Sequence, residues 1–450
     1  MRLLFQLPKP INPLSSIILL AYGFGAAVLL GTILLILPIS SSSGSFTSPI
    51  NALFSATSAV CVTGLVVVDT GTYWSTFGQA VLLALFQIGG FGFITIATLI
   101  LVTIGGGFGL KEKLTISESM GLGRLSGILG IVTKIAVFSL VVEGIGAAIF
   151  YIRWLTIGEP GVSLWTAVFH AVSSFNNCGM DLFGGFNSLT TYQNDIVVLI
   201  TTAILVILGS VGYVVVMEYT RKRHFFKLSL DSKLILVISF SLLILGTLFY
   251  FIAEYSNPAT LGSLSFPQKW MVAFFQSVTP RTAGFTAINI GSLKQITLFF
   301  TMFLMFIGGA AGSAAGGVKV NTFGILILTV ISSLRGKSGV EAFGRQVTRQ
   351  TVYRALALVV SYLLMMGLIV TVLSITEKFP IDKIIFETFS ALSTVGLSTG
   401  ITPDLSVVGR FIIIVAMLMG RLGPLALMTT LSRHQQPVDI DYPHENIRIG

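Results

Sequence analysis

The chain has 450 residues, of which 54% are hydrophobic and only 10% charged, with a mean hydropathy of +0.91. A soluble protein of this size needs far more charge to cover its surface, so the composition excludes a water-soluble globular class. The net charge of +9 is gathered in short junctions between apolar runs, which speaks for membrane orientation and against a nucleic-acid partner.

Apolar runs of about 20 residues, enough to cross a bilayer, recur along the whole length. The opening stretch MRLLFQLPKPINPLSSIILL has no small-residue cleavage site behind its apolar part and reads as a short cytoplasmic lead into the first span. Long first spans are expected at 15–38, 130–155, 233–255 and 352–375, and second spans at 79–104, 194–219, 292–330 and 406–430. Between the members of each pair lies a short apolar segment, such as INALFSATSAV or WTAVFHAVSSF. A dozen helical residues reach about 18 Å, too little for a ~30 Å core, so these segments read as re-entrant half-helices. The chain thus divides into four copies of one unit, 1–107, 108–227, 228–334 and 335–431, followed by a tail at 432–450. The expected fold is an all-α polytopic membrane protein, with four helix–pore-loop–helix repeats in pseudo-fourfold arrangement around one pore.

Basic residues collect in three junctions: Lys111, Lys113, Arg124 and Lys134; Arg221, Lys222, Arg223, Lys227 and Lys233; and Arg335, Lys337, Arg345, Arg349 and Arg354. The alternate junctions carry more acid, including Asp69, Glu159, Asp181, Glu254, Glu377 and Asp404. By the positive-inside rule the basic junctions and both termini are cytoplasmic, in a multi-pass protein of the cell membrane.

The loops after the short segments read AVCVTGLVVVD, SFNNCGMDL, VTPRTAGFT and LSTVGLST, and each reaches one glycine: Gly64, Gly179, Gly284 and Gly396. The intervals are 115, 105 and 112 residues. One such glycine would be an ordinary turn; four in phase indicate a shared functional surface. Non-helical backbone at membrane depth persists only where it is buried in protein or lines a cavity. Its carbonyls can there replace the hydration shell of a cation. Glycine permits the φ > 0 that turns carbonyls toward one axis, and a half-helix adds its negative C-terminal end. Uncharged carbonyls suit a monovalent cation.

The run MFIGGAAGSAAGGVKV lies within the 292–330 stretch, about twice the length a crossing needs. It is not a phosphate loop, because Val318 separates Gly317 from Lys319. Helix packing through small residues is one reading; the economical one is an unwound segment lining a wet cavity and acting as a gate, with Gly308, Gly309, Gly312, Ser313, Gly316 and Gly317 as its flexible residues.

The span–half-helix–glycine loop–span unit, with the loops AVCVTGL, FNNCGMDL, TPRTAGF and STVGL, resembles the Trk/Ktr/HKT superfamily of potassium transporters over nearly the whole chain, with the bacterial KtrB-type membrane subunit the nearest likeness. The resemblance implies filter carbonyls from Val62, Thr63 and Gly64; Asn177, Cys178 and Gly179; Thr282, Ala283 and Gly284; and Thr394, Val395 and Gly396. It further implies potassium at those carbonyls, because some plant members with serine at the first filter glycine favour sodium and this chain has Gly64. It also implies a homodimer, an intramembrane gating loop matching 308–317, and a separate cytosolic KtrA-type ring that binds ATP or ADP. Sodium coupling is left open. Neither KEKLTISESMGLGR, SLRGKSGVEAFGRQ nor the tail forms a nucleotide-binding domain, so no organic cofactor is expected in this chain.

Arg421, deep in the last span, is either a snorkelling or bracing residue or an electrostatic barrier below the filter, and the resemblance favours the barrier. Glu143 reads first as a structural carboxyl facing another helix. Arg281, inside the third loop, is expected to point sideways onto a carboxylate, and Asp69, Asp181 and Asp404 to edge the outer mouth. Cys61 and Cys178 read as free buried thiols. No Ser/His, paired-Asp or H-E-x-x-H set occurs in the spans, so an intramembrane enzyme is rejected. The remaining alternative, a carrier with alternating access, predicts halves of opposite topology.

Overall fold

The computed structural model describes residues 13–91, 128–158, 163–337 and 339–432. The expected lead at 1–12, the continuation of the second span to 104, Lys111, Lys113, Arg124, Glu159 and the tail beyond 432 lie outside the described residues. The protein is mostly helical. Among the described residues, three helices are long and apolar enough to span a membrane by themselves, Thr133–Ile157, Leu230–Glu254 and Arg349–Thr376, and one bent pair qualifies together.

In chain order the long first helices are α1 (Pro13–Ile36), α5 (Ile128–Ile157), α9 (Leu230–Glu254) and α13 (Arg349–Thr376). Each is followed by a short helix: α2 (Pro49–Val60), α6 (Leu164–Phe175), α10 (Phe266–Val278) and α14 (Ile381–Leu392). Their starts are written locally. Pro49 stands at the first turn of α2, where a missing N–H costs nothing. Ser163 caps α6 through Thr166 N, and Ser265 with Gln268 forms a capping box on α10. One phenylalanine on each short helix, Phe54, Phe169, Phe275 and Phe386, is fully buried, stabilising by about 1.5–3 kcal/mol apiece. The long helices, by contrast, leave large aliphatic side chains such as Leu30, Val141, Ile252 and Leu364 more than half exposed. In water this would drive aggregation; against lipid tails it carries no penalty.

The second helices are α4 (Thr76–Phe91, after the four-residue α3, Thr70–Tyr73), α7 (Ile196–Val211) with α8 (Tyr213–Lys222), α11 (Gln295–Phe306) with α12 (Val320–Leu334), and α15 (Val407–Ser432). The sequence leads one to expect a continuous span at 194–219. Instead, α7 and α8 meet at 91° around Gly212, whose φ of 91° and ψ of 136° belong to glycine alone. Between α11 and α12 the chain is non-helical over 307–319. The junction before α13 forms a small hairpin, β1 (Val340–Ala342) antiparallel to β2 (Arg345–Val347), Val340 pairing with Val347.

Packing runs around the molecule in order. Each short helix lies against the first helix of its own unit and against the second helix of the unit before it: α6 against α4, α10 against α7, α14 against α11. The last helix, α15, packs on the first short helix, α2. The circuit therefore closes, and it brings the C-terminal ends of the four short helices to one place.

Candidate functional site

The loops leaving the short helices share one backbone form. The first residue of each triplet, Val62, Asn177, Thr282 and Thr394, has φ of 55°, 58°, 66° and 51°, and the third, Gly64, Gly179, Gly284 and Gly396, has φ of 86°, 79°, 76° and 96°. Three of the four non-glycine residues are β-branched, for which a positive φ is a genuine outlier, and each costs of order 1–3 kcal/mol. Strain repeated four times is held by its surroundings. In the first, second and fourth loops the middle N–H turns back to a carbonyl five residues earlier: Thr63 to Ser58, Cys178 to Ser173 and Val395 to Ser390, each at 2.8 Å. The Ser58 and Ser390 hydroxyls accept from Gly64 N and Gly396 N, both at 3.1 Å. The third loop differs, Ala283 N donating to Thr279 O at 2.9 Å. Sequence reasoning missed these serines, although Ser58, Ser173 and Ser390 each stand six residues before a loop glycine and Val278 takes that place in the third unit.

A second glycine set fixes the short helices at depth. A Cβ on Gly89 would collide with Val60 O, one on Gly209 with Phe175 O, and one on Gly420 with Leu392 O. In the first, second and fourth units the second helix thus presses its backbone on the last turn of its short helix.

The four loop glycines meet one another. A Cβ on Gly64 would run into Cys178 O, one on Gly179 would lie 2.6 Å from Ala283 O, one on Gly284 2.7 Å from Val395 O, and one on Gly396 would run into Thr63 O. Each glycine faces the middle carbonyl of the next loop, and the fourth faces the first. Residues one and two of every triplet are buried, whereas Gly179, Gly284 and Gly396 are partly exposed. The Oγ1 atoms of Thr63, Thr282 and Thr394 are buried with no hydrogen-bond partner among the described residues. A ring of main-chain oxygens with unsatisfied hydroxyls around it can replace water about a dehydrated cation.

The 307–319 segment reaches toward this ring. Its neck is closed by Gly308 N on Val318 O at 2.9 Å and Val318 N on Phe306 O at 3.2 Å. Gly312 and Gly317 adopt φ of 72° and 66°. A Cβ on Gly308 would strike Gly316 O, and one on Gly309 would lie 2.5 Å from the Ala315 Cβ. Ser313 Oγ donates to Ala310 O at 2.7 Å. The tip docks on the α7–α8 break, with Ala310 N on Ser210 O at 2.9 Å and Tyr213 N on Gly312 O at 3.4 Å. At its other side a Cβ on Gly316 would strike Thr394 Oγ1, with Ser393 O 2.8 Å away. Arg421 ties the segment down: Nη1 donates to Ala314 O and Nη2 to Gly89 O of α4, both at 2.6 Å. Lys319 Nζ reaches Ala315 O at 2.6 Å.

The other charged residues sort themselves. Glu143 accepts from Gln87 Nε2 at 3.1 and 3.2 Å and from Asn176 Nδ2 at 3.1 Å, joining α5, α4 and the second loop. Arg281 does point sideways, yet among the described residues it meets no carboxylate. Its Nη1 donates to Ser239 O at 3.1 Å and its Nη2 to Ser239 Oγ at 2.8 Å, because α9 presents a hydroxyl and a carbonyl there. Asp69 caps α3 through Thr72 N at 2.9 Å and accepts from Phe186 N at 2.9 Å, binding the first connection to the second. Outside the spanning helices, burial and, to a smaller extent, the Asp69 carboxylate push the Asp181 carboxyl up to about 6. Both cysteines are free.

A helical circuit with four glycine loops converging on one ring of carbonyls, in a body clad in exposed aliphatic side chains, defines a membrane protein of the transport class. Residues 18–440 match the TrkH family of cation transport proteins, and the chain belongs to that family. It is 41% identical to the Ktr system potassium uptake protein B of Bacillus subtilis, covering 96% of each chain. To the potassium/sodium uptake protein NtpJ of Enterococcus hirae it is 38% identical over 97% of this chain and 98% of that one. The crystal structure of the potassium transporter TrkH from Vibrio parahaemolyticus superposes with a TM-score of 0.74 at 19% identity, covering 95% of this chain and 86% of that one, which shows the shared fold.

Proposed function

We propose that the chain is the potassium-translocating membrane subunit of a Ktr-type uptake system, conducting through a filter of four carbonyl loops in pseudo-fourfold arrangement. One observation carries the reading: Gly64, Gly179, Gly284 and Gly396 face the Cys178, Ala283, Val395 and Thr63 oxygens in turn, so the four middle carbonyls form a closed ring. Val62, Asn177, Thr282, Thr394 and the four glycines supply the remaining filter carbonyls in this reading. The short helices aim their C-terminal ends at that ring, where each negative end favours a cation by about 0.3–1 kcal/mol. In this reading the 308–317 segment is the gate and Arg421 its latch. A potassium ion passing about 6 Å from that guanidinium meets a repulsion of roughly 3 kcal/mol at an effective dielectric of about 20.

The working unit in this proposal is a homodimer in the plasma membrane, with both termini cytoplasmic. A cytosolic KtrA-type nucleotide-binding ring acts on its basic junctions. Support for the orientation comes from the basic residues at Arg221–Lys227 and Arg335–Arg349.

The test is rubidium or potassium flux into liposomes holding the full chain, under an imposed potential, with and without sodium. Potential-driven uptake that prefers potassium over sodium is expected, and the sodium arm decides whether sodium is coupled. Gly64→Ser places a side chain against Cys178 O and is expected to lower the potassium preference at least about tenfold, the effect of some 1.4 kcal/mol. Electroneutral exchange, or transport indifferent to Gly64→Ser, would return the protein to the carrier reading.

A further inference from the structure

The fourth short helix buries a carboxylate that translocation as described above does not use. Glu387 is 1% exposed and faces the segment just beyond the fourth loop glycine. Its Oε1 accepts from Ser398 Oγ at 2.6 Å, Thr399 N at 2.9 Å and Thr399 Oγ1 at 3.2 Å, and its Oε2 from Thr402 Oγ1 at 2.8 Å. Every donor is neutral. The ion pairs among the described residues are Arg153–Asp195, Lys222–Glu218 and Lys337–Glu341, so Glu387 has no protein counter-ion there.

Four donors on two oxygens favour the ionised carboxylate, against the desolvation that burial imposes on its charge. A buried charge with hydrogen bonds but no opposite charge remains costly. A cation nearby would offset that cost, and the fourth loop borders the ring of carbonyls. The position also separates the four units. Nine residues before the loop glycine the other short helices carry Ser55, His170 and Phe275, and only the fourth carries an anion. The segment Glu387 holds is wedged from the far side as well, since a Cβ on Gly291 would lie 3.0 Å from Thr399 O.

We propose that Glu387 is a positioning residue and the counter-charge of the fourth filter loop. It fixes Ser398–Thr402 in shape, and its field holds a dehydrated monovalent cation at the adjoining end of the filter. One loop of four thereby sets much of the affinity and of the potassium-over-sodium discrimination. This inference rests on the translocation reading.

The experiment is saturation of potassium uptake by full-length protein in liposomes, with and without competing sodium, for wild type and three variants. Glu387→Gln removes the charge at nearly constant size. It is expected to raise the half-saturating potassium concentration about tenfold and to reduce discrimination against sodium, with a smaller change in maximal rate. Glu387→Asp keeps the charge and is expected to recover most of both. Should Glu387→Gln fail to fold, Thr402→Val removes the Oε2 partner and is expected to lower discrimination several-fold with the charge in place. A folded Glu387→Gln with wild-type affinity and discrimination overturns the proposal, as does equal failure of the Gln and Asp variants. Unchanged discrimination in Thr402→Val overturns it too. When wild type conducts and Gly64→Ser loses preference, such results sink this inference alone. Absence of potential-driven uptake in wild type sinks the translocation reading beneath it.

Discussion

At the residue scale the decisive feature is what a side chain would meet. Gly64, Gly179, Gly284 and Gly396 combine positive φ with a neighbour's carbonyl where a Cβ would stand, so conformation and contact each penalise a side chain there. The four glycines were legible because they recur in phase. The serines that brace three of the loops recur as regularly, yet a serine in an apolar helix signals little until its hydroxyl is seen to meet an N–H. Arg421 shows the limit from the other side. Its place in an apolar span marks it, but only the fold reveals that it grips Ala314 O and Gly89 O together. Charged hydrogen bonds of this kind are worth about 1.5–3 kcal/mol each. Arg421→Gln is therefore expected to shift a closed–open equilibrium at least about tenfold toward open, read as higher potassium leak from loaded liposomes. An unchanged leak would assign Arg421 to bracing the fold.

Among elements, breaks matter more than helices. The 292–330 stretch is too long for one crossing, and the excess falls on small residues, so a discontinuity there can be read from composition. The bend between α7 and α8 cannot. Gly212 follows a run as apolar as any other span, and its 91° turn is met by the glycine segment of another unit, with Gly312 O accepting from Tyr213 N and Ser210 O from Ala310 N. The two discontinuities brace one another. Deleting 309–316 tests the role assigned to the segment. Gly308 and Gly317 lie beside each other, a Cβ on Gly317 standing 3.1 Å from the Gly308 Cα, so α11 and α12 can be joined with little distortion. Potassium flux in liposomes is expected to rise and to lose its dependence on the regulatory ring; flux equal to wild type would leave the segment as packing between helices.

On the scale of the whole molecule the packing circuit closes through α15 on α2, and the proposed filter links its stability to the ion in the ring at the centre. A ligand that binds only the folded state stabilises it by about 2.7 kcal/mol at a hundred times its dissociation constant. Detergent-solubilised protein is accordingly expected to melt several degrees higher in potassium or rubidium than in sodium or lithium at equal ionic strength. Identical melting in all four salts would count against a selective site in the ring. The contrast with sodium also guards against a general effect of salt on solubility, since screening depends on ionic strength and not on the identity of the cation.

The sequence by itself determined that the chain lives in a membrane, where its apolar runs begin and end, and which four loops belong together. Those properties are local: hydropathy, helix length and the spacing of glycine are carried by each segment whether or not it has met the others. Only the tertiary structure decided which carbonyl faces which glycine, that Arg421 holds a segment from a different unit, that Arg281 settles on Ser239, and that Glu387 stands behind one loop of four without a counter-ion among the described residues. Each of these joins residues tens or hundreds of positions apart through directional contacts of about 3 Å, a precision that hydropathy and spacing do not encode.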